Sequence, residues 1–370
     1  MSILVTDKHS VMEQIGEDLL KQKDTIYTPK MINTLKETVA SYMQSADEGE
    51  RHRALLRAIY DYWVYGNSCD EEFYYDFPHK SHEEKMKYMT FRLSEKYCGY
   101  LNRDGDSNLF VNKFNTYQRF QKYYLRDIIQ IQSESDYDTF LKFIKKHPSF
   151  VVKPQDMAFG IGVYLVKETD YSSPKELFDS IRNSGRKNKE TVVWAKSDSI
   201  VLEELIEQDP SIARIHPYSV NGVRVTTVKT ANGVTIYHPW FKVGANHQFV
   251  TSAVFGTMDA GIDPQTGIVI TNGYKENGES LEYHPDTGIR IPGFVIPRWN
   301  ELIHLAKEVA ASLDNINYVG WDFVLTPDGW CIMEGNYDGD FMWQMFFEKG
   351  MREEFEELIG WKYEKSFWWE

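Results

Sequence analysis

The spacing of apolar residues is helical in the N-terminal part of the chain. Segments such as MINTLKETVASYMQ and RHRALLRAIYDYWVYG place apolar side chains three and four positions apart, with almost no Gly or Pro before Gly66. The turn NRDGDSN at 102–108 then interrupts this pattern. We therefore predict a helical N-terminal region over residues 1–105.

Beyond this region, short β-branched runs bounded by turn residues predict strands. Those before residue 250 are SFVVKP (149–154), VYLVKE (163–168), VVWAK (192–196), SIVLEELI (199–206), GVRVTTVKT (222–230) and GVTIYHPWFKVG (233–244). The turn-rich stretch 257–295 predicts hairpins, and VGWDFVLTP and GWCIMEGN form another hairpin across a Pro-Asp-Gly turn. Helical spacing returns at 137–146, at 297–316 and in the tail.

Helices beside largely antiparallel sheets indicate an α+β protein. The changes of pattern separate a helical N-terminal region (1–105) from an α+β remainder, which ends in a C-terminal helix (346–370). A chain of 370 residues is long enough for two domains.

The net charge limits the classes of binding partner, and the cysteines indicate the redox compartment. The net charge of −14 disfavours general binding to nucleic acid or anionic membranes, although a small anion can still be held in a local basic pocket. Cys69, Cys98 and Cys331 are unclustered, which is typical of a reducing compartment. We see no signal peptide and no apolar run of transmembrane length, so we expect a cytoplasmic protein without membrane insertion.

One candidate for phosphate binding is the segment FVVKPQDMAFGIGV. A strand delivers Lys153, and a loop with Gly160 and Gly162 leads into the next strand. Lysine is a point-charge ligand for phosphate, and a glycine-bearing loop lets backbone N–H groups approach it. A hairpin with an exposed lysine explains this segment equally well.

A candidate metal site lies in the last predicted hairpin. Glu334 and Asn336 are two residues apart and share a face of their strand, and Asp322 lies on the partner strand. Carboxylate and carboxamide oxygens suit Mg²⁺. The alternative is a solvated polar face, but the flanking residues are strongly apolar.

Two further segments carry unexpected polar residues. SIVLEELIEQDP is an apolar strand that ends in Glu203 and Glu204. Its edge can offer backbone N–H and C=O groups to a purine. The alternative is an ordinary strand that leaves the core at these two acids. Arg224 lies inside an apolar strand shortly after Asn221, where an arginine needs an anionic partner. A bound anion and a structural salt bridge account for Arg224 equally well.

The order of these residues resembles the ATP-grasp superfamily. VNKFNTYQRF, with Lys113, and FVVKP are similar to its two lysine segments, VLEELIEQ to its adenine-binding hinge, and D-x11-E-x-N to its magnesium strands. More narrowly, the chain resembles the sugar-transfer-associated ATP-grasp family over about 110–345. The segments responsible are EELIEQDPSIARIHPYSVNGVRVTT, HPDTGIRIPGFVIPRWNELIHLAKEVA and NYVGWDFVLTPDGWCIMEGN.

The resemblance implies an ATP-grasp fold, in which two α+β subdomains (106–206 and 207–345) clamp ATP, after the helical N-terminal region. It also implies residue roles: Lys113, Lys153, Gly160 and Gly162 for the phosphates; Glu203, Glu204, Leu205, Ile206, Glu207 and Asp209 for the nucleoside; Asp322, Glu334 and Asn336 for Mg²⁺; Asn221 and Arg224 for the transferring phosphoryl group or the acyl-phosphate intermediate; Lys242 for a phosphate or a carboxylate. Lys242 stands where the family usually has an arginine.

By the same resemblance, the expected activity is an ATP- and Mg²⁺-dependent carboxylate–amine ligase that forms ADP and acts in the biosynthesis of glycans or sugar conjugates. Its partners are then small molecules, a carboxylate donor and an amine acceptor, either of them sugar-linked. Two alternatives stay open: a kinase-like phosphotransferase and a nucleotide-binding module without chemistry.

Overall fold

The computed structural model describes residues 3–21, 29–158, 160–192, 195–249, 256–275, 278–339 and 341–364. Its helices are α1 (Ile3–Lys21), α2 (Pro29–Tyr42), α3 (Glu48–Tyr65), α4 (Cys69–Tyr74), α5 (His82–Lys85), α6 (Phe91–Leu101), α7 (Asn108–Val111), α8 (Lys113–Phe120), α9 (Tyr137–Lys146), α10 (Pro174–Thr191), α11 (Pro210–Ala213), α12 (Trp299–Ala311), α13 (Trp343–Phe347) and α14 (Arg352–Ile359).

The strands are β1 (Ile128–Ile131), β2 (Ser149–Pro154), β3 (Tyr164–Lys167), β4 (Ile200–Glu204), β5 (Gly222–Thr230), β6 (Gly233–Val243), β7 (Met258–Gly261), β8 (Gly273–Tyr274), β9 (Ser280–Leu281), β10 (Tyr318–Thr326) and β11 (Gly329–Asn336). The chain divides into two compact units, Met1–Tyr100 with Asp340–Glu370, and Leu101–Gly339. No helix of the described residues is long and apolar enough to cross a membrane.

The first unit is helical. Its helices begin where the sequence offers paired capping residues: Asp47 with Glu50 starts α3, and Ser68 with Glu71 starts α4, each pair closing a capping box. Apolar side chains of α1, α2 and α3 form its core, including Leu19, Leu35, Val39, Leu55 and Ile59. The prediction of helices over the N-terminal region is confirmed.

The C-terminal segment belongs to this helical unit. Gln344 of α13 is fully buried, and its Oε1 accepts from the N–H groups of Met89 (2.6 Å) and Met351 (3.0 Å). Its Nε2 donates to Met89 O at 2.9 Å and to the Tyr75 hydroxyl at 3.1 Å. One side chain therefore joins the two ends of the sequence.

The predicted C-terminal helix is too long. α14 ends at Ile359 because Gly360 adopts a left-handed conformation with φ of 65°, and its N–H bonds to Glu356 O. Residues 361–364 are not helical, and the last six residues lie outside the described part of the chain.

The second unit contains two antiparallel sheets. The smaller has the strand order β1-β4-β2-β3, and the larger has the order β11-β10-β5-β6-β7-β8-β9. The side chains of α9 and α10 form the core beneath the smaller sheet, among them Phe140, Phe143, Leu177, Phe178 and Ile181. Those of α12 pack on the larger sheet, among them Leu302, Ala306 and Val309 against Val223, Phe241 and Trp321. The α+β prediction is confirmed.

The helix α10 is absent from our sequence prediction. Ser173 caps it by accepting from Glu176 N, and Pro174 occupies its first position. It approaches β4 closely at Gly185, where a Cβ would lie 2.2 Å from Asp198 O. The predicted strand 192–196 is not seen at its described residues, and Val193 and Trp194 lie outside them.

We predict that Gln344→Leu destabilises the protein by about 2–4 kcal/mol, because it leaves several buried backbone groups without partners. The measurement is the free energy of unfolding from urea titration. Gln265→Leu, the same change at an exposed turn position, serves as the control and should change stability by less than about 0.5 kcal/mol. Equal effects of the two variants would show that the buried hydrogen bonds contribute nothing.

Candidate active site

A row of charged side chains crosses three strands of the larger sheet. Asp322 on β10 lies directly opposite Arg224 on β5 and opposite Glu334 on β11. Residues directly opposite in antiparallel strands point to the same face. The strand register therefore places these three side chains on one face.

The first contact in this row is an ion pair. Arg224 Nε donates to Asp322 Oδ1 at 2.8 Å, and both side chains are largely buried. Burial raises the pKa of Asp322, but the positive charges of Arg224 and Lys242 outweigh it and hold that pKa below its usual range. Asp322 is consequently an anion at neutral pH. Of the two explanations for Arg224 that the sequence left open, the structure shows the salt bridge.

A bulge in β11 sets the position of Glu334. The register shifts after Asp322, so that Phe323 pairs with Ile332 and Met333 becomes the extra residue of the bulge. Glu334 and Asn336 lie two residues apart on β11, on the face of Asp322, and Asn336 hydrogen-bonds to Gly320 O. The carboxylate of Glu334 is 38% exposed, so it is open to a ligand.

Lys113 connects this face to the glycine-bearing loop. It is the first residue of α8, which Asn112 caps, and its Nζ lies 3.3 Å from Glu334 Oε1. The same Nζ donates to the carbonyl of Met157 in the loop. The ammonium group thus lies between the loop and the carboxylates.

The loop after β2 turns on two glycines. Gly160 and Gly162 have φ of 71° and 73°, and a Cβ on Gly162 would lie 2.7 Å from Pro154 Cγ. Asp156 anchors the loop, since its Oδ2 accepts from the N–H groups of Lys196 (2.7 Å) and Ser197 (2.9 Å). Phe159 lies outside the described residues.

Glu203 on β4 is almost fully buried and holds two cations. Its Oε2 accepts from Lys153 Nζ at 2.9 Å and from Arg126 Nη2 at 2.9 Å and Nε at 3.1 Å. Burial raises the pKa of Glu203, but the two cations lower it more strongly, to about 2. The carboxylate that we expected beside the nucleoside therefore fixes Lys153 in place.

Our sequence analysis missed Arg126. Its Nη1 donates to Ile332 O at 2.7 Å and its Nη2 to Met333 O at 3.4 Å, which are the carbonyls at the β11 bulge. Arg126 thereby links the smaller sheet, through Glu203, to the strand that carries Glu334. The signal in the sequence was an arginine directly before DIIQI, a segment whose three isoleucines favour burial. A buried arginine needs an anionic partner.

The segment after β4 has an unpaired backbone. Within the described part of the chain, the backbone N–H and C=O groups of Leu205, Ile206 and Glu207 make no hydrogen bond. Glu204 turns away and accepts from Asp127 N at 2.9 Å, while Asp209 caps α11 by accepting from Ser211 N at 2.8 Å. Residues 205–207 thus offer free donors and acceptors to a planar ligand.

Asn221 and Lys242 have different surroundings. Asn221 is fully buried, where its Nδ2 donates to His216 O at 2.8 Å and its Oδ1 accepts from Gly244 N at 3.3 Å. It therefore ties the start of β5 to the end of β6. Lys242 is opposite Gly222, two residues from Arg224, and so faces the charged row.

A protein-family model described as sugar-transfer associated ATP-grasp matches residues 92–358. The match covers most of the chain, so the protein belongs to this family and has the ATP-grasp fold. No curated protein is significantly similar to it in sequence.

Several solved structures are distantly similar. D-alanine–D-alanine ligase from Helicobacter pylori is 14% identical, with 65% of this chain and 57% of that chain covered and a TM-score of 0.38. N5-carboxyaminoimidazole synthase from Aspergillus clavatus is 13% identical, with 64% and 46% covered and a TM-score of 0.37. This chain therefore spans about three fifths or less of these relatives.

We predict that Glu203→Gln destabilises the protein by about 3–5 kcal/mol at pH 7, because two buried cations lose their counter-charge. The folded-state pKa of Glu203, about 2, is lower than in the unfolded chain. Its charge therefore stabilises the protein above the unfolded-state pKa, and this contribution is lost as the pH falls towards about 2. The measurement is urea unfolding of both proteins between pH 7 and pH 3.

The deficit of the variant should be largest at pH 7 and shrink on acidification. Glu190→Gln, at an exposed position of α10, is the matched control and should show no deficit. A deficit that did not depend on pH would contradict the assigned ion pairs.

Proposed function

We propose that this member of the sugar-transfer associated ATP-grasp family is an ATP- and Mg²⁺-dependent ligase that joins a carboxylate to an amine and releases ADP and phosphate. The observation that carries the proposal is the row Arg224, Asp322 and Glu334 in register across three strands, with Lys113 against Glu334. Such a row combines the charges that phosphoryl transfer requires from a protein.

Lys113 and Lys153 are the proposed ligands of the ATP phosphates. Both ammonium groups are held by carboxylates, of Glu334 at 3.3 Å and of Glu203 at 2.9 Å, so their positions are fixed before a nucleotide binds. The loop with Gly160 and Gly162 would cover the phosphates. The unpaired backbone of residues 205–207 supplies the complementary groups for an adenine ring.

Asp322, Glu334 and Asn336 are the proposed Mg²⁺ ligands. They offer only oxygen atoms from one face of a hairpin, and the partly exposed Glu334 leaves room for phosphate oxygens and water, so the residues fit the ion. When bound, Mg²⁺ neutralises charge on the phosphates. The chain's own Arg224 and Lys242 neutralise charge on the phosphoryl group from the neighbouring strands.

The proposed reaction has two steps. A carboxylate oxygen of the donor attacks the γ-phosphorus of ATP, the bond to the β,γ-bridging oxygen breaks, and ADP leaves. The amine of the acceptor then attacks the carbonyl carbon of the acyl phosphate, phosphate leaves with its bonding electron pair, and the amine loses a proton to give an amide. Neither step requires a nucleophilic side chain, so positioning and charge are what the protein contributes.

The description of the family associates it with sugar transfer, which supports a role near sugar conjugates. We therefore infer that the donor or the acceptor is a small molecule attached to, or destined for, a sugar conjugate, in the biosynthesis of glycans or polysaccharides.

The direct test is ADP release from ATP and Mg²⁺ in the presence of single and paired carboxylates and amines, including sugar acids and amino sugars. ADP is expected only when one carboxylate and one amine are both present, with equimolar amide product by mass spectrometry. ADP formed with a single hydroxyl compound, together with its phosphate ester, would establish a kinase instead. Nucleotide binding without ADP under every condition would indicate a binding module.

Glu334→Gln should lower Mg²⁺-dependent ADP release about 100-fold or more, because it removes one charge that binds the metal. Glu334 is more exposed than Asp322, so this variant should keep wild-type stability, which Asp322→Asn need not do because it leaves Arg224 unpaired. The control is Asp328→Asn in the exposed turn of the same hairpin. Wild-type turnover and Mg²⁺ dependence in Glu334→Gln would refute the metal assignment.

A further inference from the structure

A second polar cluster is formed by residues just before β5, residues just after β6 and Asp286. The proposed chemistry does not use it. Asp286 lies between two imidazoles: its Oδ2 is 3.5 Å from His216 Nε2, and its Oδ1 is 3.6 Å from His247 Nδ1. These distances are too long for strong hydrogen bonds. The side chain of Asp286 is nonetheless only 11% exposed.

Asp286 lacks a fixed cationic partner in the part of the chain that the structure describes, since no lysine or arginine there lies within 4.0 Å of its carboxylate. His284, two residues before Asp286, is engaged with the backbone: its Nδ1 accepts from Asp286 N at 3.2 Å, and its Nε2 lies 2.7 Å from Gly244 O. The side chain of His247 is largely exposed.

His216 forms the floor of the cluster and has an unsatisfied nitrogen. The ring is fully buried, its Nδ1 is 3.0 Å from Ser219 Oγ, and its Nε2 has no hydrogen-bond partner among the described residues. Burial, with the nearby imidazole of His284, lowers the pKa of His216 and keeps the ring neutral. A largely buried carboxylate, which accepts a long hydrogen bond of 3.5 Å from His247 N, and a fully buried imidazole nitrogen without a partner among the described residues thus lie 3.5 Å apart.

Tyr218 adds an aromatic ring at the exposed side of the cluster. The Tyr218 ring is half exposed, and its centroid lies 4.3 Å from that of His247 and 5.5 Å from that of His216. An aromatic face attracts a cation and covers the carbon skeleton that carries it.

We propose that Asp286, His216 and Tyr218 form a recognition subsite for a primary ammonium group. When the proton of the neutral His216 ring is on Nδ1, where it can donate to Ser219 Oγ, Nε2 is a hydrogen-bond acceptor. An ammonium ion has three N–H donors and one positive charge, so it can then satisfy the carboxylate and Nε2 together. A hydroxyl group would provide a donor but not the charge that a buried carboxylate needs.

A metal ion is the competing occupant, and the geometry disfavours it. Among the described residues, only Asp127, His147 and Glu204 bring three ligand atoms of His, Cys, Asp or Glu within 4.8 Å of one another. Asp286, His216 and His247 do not converge in this way. The cluster has a carboxylate to balance one charge, not a complete set of metal ligands.

The subsite and the charged row are connected through the backbone at the end of β6. Gly244, which bonds to both Asn221 and His284, directly follows β6 and comes two residues after Lys242. The subsite's role in binding an acceptor with a second, distal amine rests on the proposed function, but its preference for ammonium does not.

The experiment uses the full chain with isotope-labelled histidine and follows the ring resonances during titration with methylammonium chloride. Saturable shifts are expected at His216 and His247 with methylammonium, and not with methanol or sodium chloride at equal concentration. Asp286→Asn should weaken the apparent affinity at least tenfold. Asp328→Asn, the matched change in an exposed turn, should leave it unchanged.

Equal responses to methylammonium and methanol in the wild-type protein would overturn the proposal without reliance on any variant. So would unchanged affinity in Asp286→Asn, or stoichiometric shifts with Zn²⁺ and none with methylammonium. In the ADP-release assay, Asp286→Asn should raise the KM of a diamine acceptor at least tenfold and leave the KM of ATP within twofold. If no acceptor supports ADP release, the ligase proposal fails while the titration still decides the subsite.

Discussion

The buried carboxylate of Glu203 is the interaction on which the rest of the site depends. Its single negative charge is shared by Lys153 and Arg126 inside the protein, where neither cation is stable alone. Arg126 then reaches two carbonyls at the β11 bulge, so one ionic cluster joins the smaller sheet to the larger one. Because the bulge determines where Glu334 points, a charge on β4 controls the geometry of a carboxylate 131 positions further along the chain.

Strand register then supplies the accuracy that the site needs. Arg224, Asp322 and Glu334 are held by backbone pairing on three adjacent strands, which bend far less than loops do. Lys113 comes from a helix start and closes the row from the other side. The glycine-bearing loop lies outside the strands, and at its start Asp156 accepts hydrogen bonds from Lys196 and Ser197. Paired strands thus hold the charges of the row.

The spacing of apolar residues predicted helices and strands well where a compact apolar run is bounded by turn residues. The bounds of α9, β2 and β5 follow the predicted segments because each apolar run is flanked by turn residues. α10 was missed because its few apolar residues stand in an otherwise polar sequence. The partners of Glu203 could not be predicted, since Arg126 and Lys153 reach it only after β1 and β2 pair with β4. The Asp286 cluster could not be predicted for the same reason: His216, His247 and Asp286 lie in separate segments of the sequence and meet only in the folded chain.

One end of the β5–β6 pair, where β5 begins and β6 ends, connects the charged row to this cluster. The two strands place Arg224 and Lys242 on the face of the row, and Asn221 just before β5 accepts a hydrogen bond from Gly244 just after β6. His284 bonds to the same glycine, so the backbone of β6 positions the segment that bears Asp286. Strand pairing and these two hydrogen bonds therefore link the backbone that bears Arg224 and Lys242 to the backbone that bears Asp286.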